Sequence, residues 1–370
     1  MADPDVPMYP LKLETLLKSK VWGGHNIARL FPDTLASDEP IGETWLVWDQ
    51  LRVANGPLAG IKLADLVSDR PAALLGARLA HGAGALFPLL VKFVDAQDVL
   101  SVQVHPDDAY AQRVEHEPVG KSEAWYVVYA EPATELIYGL ARSLSREELR
   151  AAIASGRLRD LLGHVPVAAG DCIVNPTGTI HALAPGVLVY EVQQSSDLTY
   201  RLYDWDRNNP ERPLQVEKSL DVADLRPPAY VKNRPVVLEA PAATRTILCA
   251  TRHYAVELLT LRSAVQERPA EDCFHILTAL QGTSHVRDMS VPGVELDLLP
   301  GESILVPAAI ERYELWTGEP PAAVIKAYVP DLARDIAGPL LARGIPWDDI
   351  VQLGGEPARS DLAGLREASI

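Results

Sequence analysis

The sequence predicts a mainly β protein that contains two related barrels and a small helical insert. Short apolar runs separated by Gly, Pro, Asp and Asn turns recur along most of the 370 residues, whereas stretches with helical periodicity are few. A pattern of Gly, acid, apolar strand and Pro occurs twice. Each half of the chain also has about the length of a small barrel domain.

The predicted strands are short and lie in both halves of the chain. Each is an apolar run that ends at a turn-forming residue, as expected of strands in barrels or sandwiches. The clearest are LLVKFV, VLSVQVH, EAWYVVYA, ELIYGL, DCIVNP, GVLVYEVQ, TYRLYDW, AVELLTL, FHILTAL, ESILVP and AAVIKAYV.

Two segments predict helices. Ser145 and Glu148 form a capping-box pattern that begins a short helix, and Gly156 marks its end. The stretch LADLVSDRPAALLGARLA is also helical in pattern, but Pro71 interrupts it. These segments are the small helical insert of an otherwise β-rich chain.

The repeated pattern suggests a duplication. GDCIVNPTGTIH begins at Gly170 and GESILVPAAIER begins at Gly301, and aligning the glycines places His181 opposite Arg312. A chance resemblance between two strand–turn segments is the alternative. Under the duplication hypothesis, the second barrel lacks whatever His181 does in the first.

A proline-rich stretch, LRPPAYVKNRPVVLEAPAA, separates the two strand-rich halves and predicts a boundary near residue 235. We therefore expect a first domain over residues 1–235 and a second over 236–330. Residues 331–370 have mixed character and predict a C-terminal helix followed by a tail.

Composition restricts the classes of function. The chain has ordinary hydrophobic and charged fractions, 48% and 23%, and a net charge of −16. Such a surface repels nucleic acid and anionic membranes, so we expect neither as a partner. No apolar run is long enough to span a bilayer, and the N-terminal residues do not resemble a secretory signal.

The cysteines indicate a reducing compartment. Cys172, Cys249 and Cys273 are odd in number, widely separated and absent from any CxxC pair. A disulfide framework or a thiolate metal site is therefore not expected, and the cytoplasm is the predicted location.

The segment VLSVQVHPDD carries a polar face. Because side chains alternate along a strand, Val99, Ser101, Gln103 and His105 lie on one face, while Leu100, Val102 and Val104 lie on the other. A solvated face of an ordinary strand is the alternative. Pro106 ends the strand directly after His105, and the polar residues are of types that coordinate metals.

Two further segments supply coordinating residues. Glu123 begins the apolar strand EAWYVVYA, and His181 follows a Pro–Thr–Gly turn. Together with Gln103 and His105 they would form a site of nitrogen and oxygen ligands. Such a site suits Zn²⁺, although two histidines and a carboxylate also serve non-haem iron.

Charged residues also interrupt later strands. Glu191 lies within LVYEVQ and Arg201 within TYRLYDW. A charge in an apolar strand is costly unless it is paired or functional. A structural Glu191–Arg201 pair, or an exposed strand edge, is the alternative to a functional role.

Six motifs follow one another in a fixed order within the first 210 residues: WGG at 22–24, GETW at 42–45, SVQVHP at 101–106, KSE at 121–123, GDCIVNPTGTIH at 170–181, and Glu191 followed by SSDLTYR at 195–201. The chain resembles the type I mannose-6-phosphate isomerase family in its shorter bacterial form. The resemblance covers roughly residues 8–330. It implies two cupin-like jelly-roll barrels and interconversion of mannose 6-phosphate and fructose 6-phosphate through an enediol.

The resemblance also implies roles for individual residues. It makes Gln103, His105, Glu123 and His181 the ligands of one zinc ion per chain, and it makes Arg201 the catalytic arginine. Further residues would line the substrate pocket: Ser101, Lys92, Lys121 and Glu191. Glu191 is the first candidate for the general base, with Lys121 and a metal-bound water as alternatives.

The expected partner is a small sugar phosphate, and the chain is expected to be a monomer or a homodimer. Lys92, Lys121 and Arg201 would supply the local positive charge that a phosphorylated substrate needs in an acidic protein. The chain departs from longer family members, because one short helix stands where they carry a large helical insertion.

Two alternatives belong to other classes of function. A metal-dependent cupin dioxygenase would use similar ligands, although such enzymes usually have an H-x-H pair where this chain has Gln103 and His105. A non-catalytic sugar-binding cupin is the second. Isomerase activity, metal content and oxygen uptake distinguish the three.

Overall fold

The computed structural model describes residues 6–80, 85–207, 209–210, 212–269, 272–291 and 293–368. Strands predominate within these ranges, and the mainly β prediction is confirmed. No helix among the described residues has the length and apolar character needed to cross a bilayer.

The strands of the first half are short and antiparallel to their neighbours. In chain order they are β1 (Leu11–Lys12), β2 (Leu16–Lys18), β3 (Glu43–Val47), β4 (Leu89–Ala96), β5 (Val102–Val104), β6 (Glu123–Ala130), β7 (Glu135–Leu140), β8 (Leu162–Pro166), β9 (Cys172–Asn175), β10 (His181–Ala182), β11 (Val187–Gln194) and β12 (Tyr200–Tyr203).

The strands of the second half are also short and antiparallel to their neighbours. Its strands are β13 (Val236–Glu239), β14 (Ala243–Ala250), β15 (Ala255–Leu261), β16 (Val265–Glu267), β17 (His275–Gln281), β18 (Ser284–Asp288), β19 (Glu295–Leu298), β20 (Ser303–Val306), β21 (Tyr313–Trp316) and β22 (Ala322–Tyr328).

The α-helices are short. They are α1 (Asn26–Leu30), α2 (Leu63–Asp69), α3 (Pro71–Leu75), α4 (Asp108–Tyr110), α5 (Arg146–Ala154), α6 (Val216–Val222), α7 (Gly338–Leu341), α8 (Trp347–Val351) and α9 (Leu365–Ala368). Wider π-helical turns span Ala111–Glu115 and Leu332–Ala337, and 3₁₀ turns span Leu158–Leu161, Gln352–Gly354 and Pro357–Arg359.

Two sheets of the first half face each other. A six-stranded sheet has the order β2-β3-β4-β11-β6-β9, and a five-stranded sheet has the order β12-β5-β10-β7-β8. Val94, Trp125 and Val189 from the larger sheet share a buried cluster with Leu136 and Tyr138 from the smaller one. The inward-facing residues between these sheets are therefore where an enclosed site can form.

The second half repeats this arrangement. A seven-stranded sheet has the order β1-β20-β17-β22-β15-β14-β13, and a four-stranded sheet has the order β16-β21-β18-β19. Leu259 and Ile304 from the larger sheet pack with Val286, Leu298 and Leu315 from the smaller one. The halves thus share one strand order, apart from additional strands at the sheet edges.

The two large sheets share the largest core. Because side chains alternate, Val91 and Tyr190 point away from the first sheet pair and join a buried cluster with Val256, Ile276 and Ile325 of the second. Apolar residues of the C-terminal turns belong to the same cluster. The C-terminal segment is thus packed on the core through Leu362, which differs from the loose tail expected from its composition.

We propose a domain boundary near residue 235 on the basis of the sheet order. β13 begins at Val236, within the proline-rich stretch, and is the first strand after β1 to join the seven-stranded sheet. The proposed units are residues 1–235, 236–330 and 331–370. β1 crosses this boundary, because it pairs with β20 of the second unit.

The predicted helices are present. The side chain of Ser145 accepts a hydrogen bond from the backbone of Glu148, and Glu148 bonds the backbone of Ser145 in return, which completes the capping box of α5. The proline break is also found, because α2 ends before Pro71 and Pro71 begins α3.

Asp95 fixes the first turn of α1 to β4, and we expect Asp95→Asn to destabilise the protein. Its buried carboxylate accepts hydrogen bonds from the backbone N–H groups of Asn26 (2.6 Å) and Ile27 (3.1 Å) and from the Asn26 amide (2.9 Å). An asparagine offers one acceptor oxygen, so a buried donor loses its partner. The free energy of unfolding should fall by about 2–3 kcal/mol in urea denaturation. The exposed Asp33→Asn is the matched control, and equal midpoints for both variants would contradict this role.

Candidate active site

Three coordinating side chains from three strand ends converge between the sheets of the first half. His105 directly follows β5, Glu123 begins β6 and His181 begins β10. One ligand atom from each lies within 4.8 Å of the others. The two carboxylate oxygens of Glu123 lie 3.2 Å from His181 Nε2 and 3.5 Å from His105 Nε2. All three side chains are buried.

Gln103 completes this cluster. It lies on β5 directly opposite His181 on β10, and its side-chain amide is 3.4 Å from His181 Nε2. Rotation of the amide group exchanges its nitrogen and oxygen without changing its shape. Gln103 can therefore present a neutral oxygen to the centre of the cluster.

Backbone carbonyls orient both imidazoles. His105 Nδ1 lies 2.8 Å from the Leu198 oxygen, and His181 Nδ1 lies 2.9 Å from the Thr179 oxygen. A carbonyl oxygen only accepts, so each Nδ1 carries the proton and donates it. In each ring Nε2 is the nitrogen that faces Glu123, as in metal-binding histidines held by an outer hydrogen bond.

The donor set fits a divalent cation. Burial, with the nearby Lys121 ammonium, lowers the pKa of His105 to about 3, so this imidazole is neutral. Burial alone would raise the pKa of Glu123, but Lys121 holds it well below its usual range. Glu123 Oε2 accepts no well-directed hydrogen bond. Two imidazole nitrogens, a carboxylate and an amide oxygen suit Zn²⁺ and related first-row ions.

A chain of alternating charges leads away from this cluster. Lys121 Nζ is 2.9 Å from Glu123 Oε2 and 3.8 Å from Glu191 Oε1. Lys92 Nζ lies 3.2 Å from Glu191 Oε1 and 3.5 Å from Glu43 Oε1. Burial alone would lower the pKa of Lys92, but the carboxylates of Glu191 and Glu43 hold it above its ordinary value. Both lysines are buried, and Lys92 is held there as a cation.

Glu191 is held from several sides. It pairs with Lys92 across β11 and β4, and its Oε2 accepts a hydrogen bond of 3.1 Å from Trp125 Nε1. Its Oε1 accepts no well-directed hydrogen bond. Burial, together with the nearby Glu123 carboxylate, raises the pKa of Glu191. A carboxylate that is fixed in place can exchange a proton with a molecule bound beside it.

Arg201 lies on β12 opposite Gln103 on β5. Its Nε is buried and has no hydrogen-bond partner, and no carboxylate among the described residues forms an ion pair with it. The expected alternative of a Glu191–Arg201 pair is therefore wrong, because Glu191 pairs with lysines instead. Burial, with Arg212 nearby, lowers the pKa of Arg201, although a guanidinium stays charged.

A cavity of about 430 Å³ joins these groups. Every predicted substrate-contacting or catalytic side chain lines it, and so does one predicted metal ligand: Lys92, Ser101, Gln103, Lys121, Glu191 and Arg201. The structure therefore places the predicted catalytic and substrate-contacting residues in one cavity beside the metal-like cluster.

The cavity is also lined by residues that the sequence analysis did not identify as functional. Lys20, Glu43 and Arg212 line it, and Lys20 Nζ lies 3.3 Å from Glu43 Oε2. Glu43 lies in the GETW motif, which could have indicated it. Arg212 lies in a loop, where no periodicity distinguishes a functional arginine from a solvated one.

Comparisons with known proteins agree with this geometry. A family model described as the type I phosphomannose isomerase catalytic domain matches residues 10–126. A mannose-6-phosphate isomerase from Streptococcus mutans is 35% identical over 313 residues, which cover 82% of this chain and 94% of that protein. The probable mannose-6-phosphate isomerase GmuF of Bacillus subtilis is 34% identical, covering 83% of this chain and 96% of that protein.

Solved structures show the same fold. The mannose 6-phosphate isomerase of Bacillus subtilis aligns with a TM-score of 0.76 at 28% identity, over 86% of this chain and 99% of that one. A zinc-bound mannose 6-phosphate isomerase aligns with a TM-score of 0.69 at 17% identity, over 87% of this chain and all of that one.

Proposed function

This chain belongs to the type I mannose-6-phosphate isomerase family and is an aldose–ketose isomerase that interconverts mannose 6-phosphate and fructose 6-phosphate, and we propose that Gln103, His105, Glu123 and His181 hold its zinc ion. The observation that carries this proposal is the buried convergence of three ligand atoms within 4.8 Å. The choice of zinc is supported by the donor set and by the zinc-bound structural relative.

The reaction moves a proton between C1 and C2 of the sugar. When bound, the zinc ion supplies a Lewis acid that polarises the sugar oxygens. Glu191 takes the proton from one carbon and returns it to the other, because its carboxylate is held in place beside the cavity that would hold the substrate. Lys92 and Trp125 hold the Glu191 carboxylate in place.

The positively charged side chains of the cavity bind the negative charges of the substrate and of the transition state. Arg201 has no carboxylate partner among the described residues, so its positive charge is available to stabilise the negative oxygen of the enediol. Lys121 and Ser101 line the same cavity and are assigned to the sugar phosphate. Binding the unreactive phosphate orients the reacting end of the sugar.

The activity is tested with zinc-loaded protein and mannose 6-phosphate, with formation of fructose 6-phosphate followed by a coupled assay. We expect turnover in both directions and no oxygen uptake. Zinc-loaded protein that consumes oxygen but forms no fructose 6-phosphate would support the dioxygenase alternative instead. Protein that binds the sugar phosphate without turnover would support the sugar-binding alternative.

Asn175 is expected to support zinc binding from outside the ligand set. Its Nδ2 donates to Glu123 Oε1 (3.3 Å) from the paired strand β9. Asn175→Ala removes this restraint on the carboxylate, and zinc affinity should fall by about 10–100-fold. Competition with a chromophoric chelator measures the change. Unaltered affinity in a folded variant would show that Asn175 does not orient Glu123.

A further inference from the structure

The repeated strand order allows positions in the two halves to be equated by their pairing partners. His181 lies opposite Gln103 in the first half, and Tyr313 lies opposite Glu267 in the second. Glu123 lies opposite Asn175 on β9, and His275 lies opposite Val306 on β20. The positions of Gln103, Glu123 and His181 therefore carry Glu267, His275 and Tyr313.

This correspondence corrects the sequence alignment based on Gly170 and Gly301, which paired His181 with Arg312. The segment that joins the equivalent strands is one residue longer in the second half, which moves Tyr313 into the position of His181. His275 Nδ1 lies 2.9 Å from Tyr313 Oη. Of the described residues, only His105, Glu123 and His181 form a metal-like cluster, so this second position is not such a site.

The charges beside this position are reversed in sign. Lys92 pairs with Glu191 across β4 and β11, whereas Glu257 pairs with Lys326 across β15 and β22. The neighbouring position, occupied by Glu43 in the first half, carries Arg245 in the second. The second sheet pair thus keeps three charged positions and inverts each charge.

These groups are ordered and mutually neutralised. Lys326 Nζ lies 3.0 Å from Glu257 Oε2 and 2.9 Å from Glu267 Oε2, and Arg245 donates to both carboxylates. Tyr328 donates a hydrogen bond of 2.7 Å to Glu257 Oε1. Packed hydrophobic residues are often at least as stable as buried ion pairs, so stability alone does not account for this group.

A cavity of about 520 Å³ covers these groups. Glu257, Lys326 and Tyr328 line it together with His275, whose Nε2 has no hydrogen-bond partner among the described residues. Burial, with the nearby Lys326 ammonium, lowers the pKa of His275 to about 3, so its ring is neutral. The floor therefore presents polar groups suited to hydroxyls rather than to a bare charge.

The rim of this cavity is cationic. Arg268 and Arg343 line it and are exposed, and no carboxylate among the described residues forms an ion pair with either of them. A third arginine, Arg334, is already paired with Asp272 and Asp335. Two guanidinium groups without a carboxylate partner in the described part of the chain are notable in a protein with a net charge of −16.

We propose that this cavity is a second, metal-independent binding site for a phosphorylated sugar or polyol. Arg268 and Arg343 bind the phosphate, because guanidinium groups match phosphate oxygens in charge and geometry. The floor formed by Glu257, His275, Lys326 and Tyr328 binds the hydroxyls. The site performs no isomerisation, because it lacks the metal ligands of the first half. Glu267, His275 and Tyr313 occupy the positions equivalent to Gln103, Glu123 and His181.

The test compares glucose 6-phosphate binding by isothermal titration to the zinc-loaded wild type and to Arg268→Ala/Arg343→Ala. We expect the double variant to lose at least about tenfold in affinity at one site, while kcat and KM for mannose 6-phosphate stay unchanged. The exposed pair Arg142→Ala/Arg157→Ala removes the same charge elsewhere and should bind like the wild type.

Three results would overturn the proposal. The first is the absence of glucose 6-phosphate binding to the wild type. The second is an unchanged titration in Arg268→Ala/Arg343→Ala, which would confine binding to the isomerase cavity. The third is inorganic phosphate binding as tightly as glucose 6-phosphate, which would remove the role assigned to the floor.

Discussion

Replacing His181 with Ala is expected to abolish zinc binding and isomerase activity together. His181 contributes one of the two imidazoles, and its Nε2 lies 3.2 Å from Glu123 Oε1. Without it, one imidazole, a carboxylate and an amide remain, which are too few strong ligands for a stable zinc site. Loss of the Lewis acid removes several kcal/mol of transition-state stabilisation, so turnover should fall by at least about 10³-fold.

The measurement is metal content together with the coupled assay on the same preparation. His285→Ala is the matched control, because His285 lies in the second half and pairs with the exposed Asp297. It should retain zinc and activity. A metal-free His181→Ala protein with full turnover would end the zinc isomerase account, and zinc retained at full affinity would remove His181 from the ligand set.

Glu191→Gln is expected to reduce kcat while leaving zinc content unchanged. The amide keeps the shape of the carboxylate but cannot accept the substrate proton. General-base catalysis of this kind contributes about 10²–10⁴-fold, so a loss of that size is expected in kcat, with a small change in KM. Steady-state kinetics and metal content test this together, and thermal unfolding shows whether the variant is folded.

The alternative base is Lys121, which lies 3.8 Å from Glu191 Oε1. If Glu191→Gln keeps its kcat while a zinc-loaded, folded Lys121→Met loses it, the proton is carried by Lys121. Glu135→Gln serves as the control for Glu191→Gln, because Glu135 is an exposed residue that lies beside His164.

The fold class and the candidate metal site could be predicted from the sequence for a simple reason. Strand alternation and the proline after His105 are local features, and the motifs around Glu123 and His181 each mark the start of a strand. Features that depend only on neighbouring residues can be recognised in the sequence without the structure. The structure adds the tertiary distances, which no motif specifies, and it places the half-buried Gln103 beside the buried His105, Glu123 and His181.

Other features depend on pairing between distant strands and could not be predicted. The inverted charges of Arg245, Glu257 and Lys326 are recognisable only when β14, β15 and β22 are matched with β3, β4 and β11 through their registers. A one-residue difference in loop length also shifted the repeat alignment from Tyr313 to Arg312. Register sets which face a side chain occupies, so an error of one residue changes its assigned role.

The central claim is that one zinc ion, held by Gln103, His105, Glu123 and His181, is required for isomerisation. The most direct test removes metal with a chelator, returns zinc in measured steps, and follows zinc bound per chain and turnover of mannose 6-phosphate in each sample. The account predicts that activity rises in proportion to bound zinc and reaches its maximum at one ion per chain. Full turnover by the metal-free protein would contradict it.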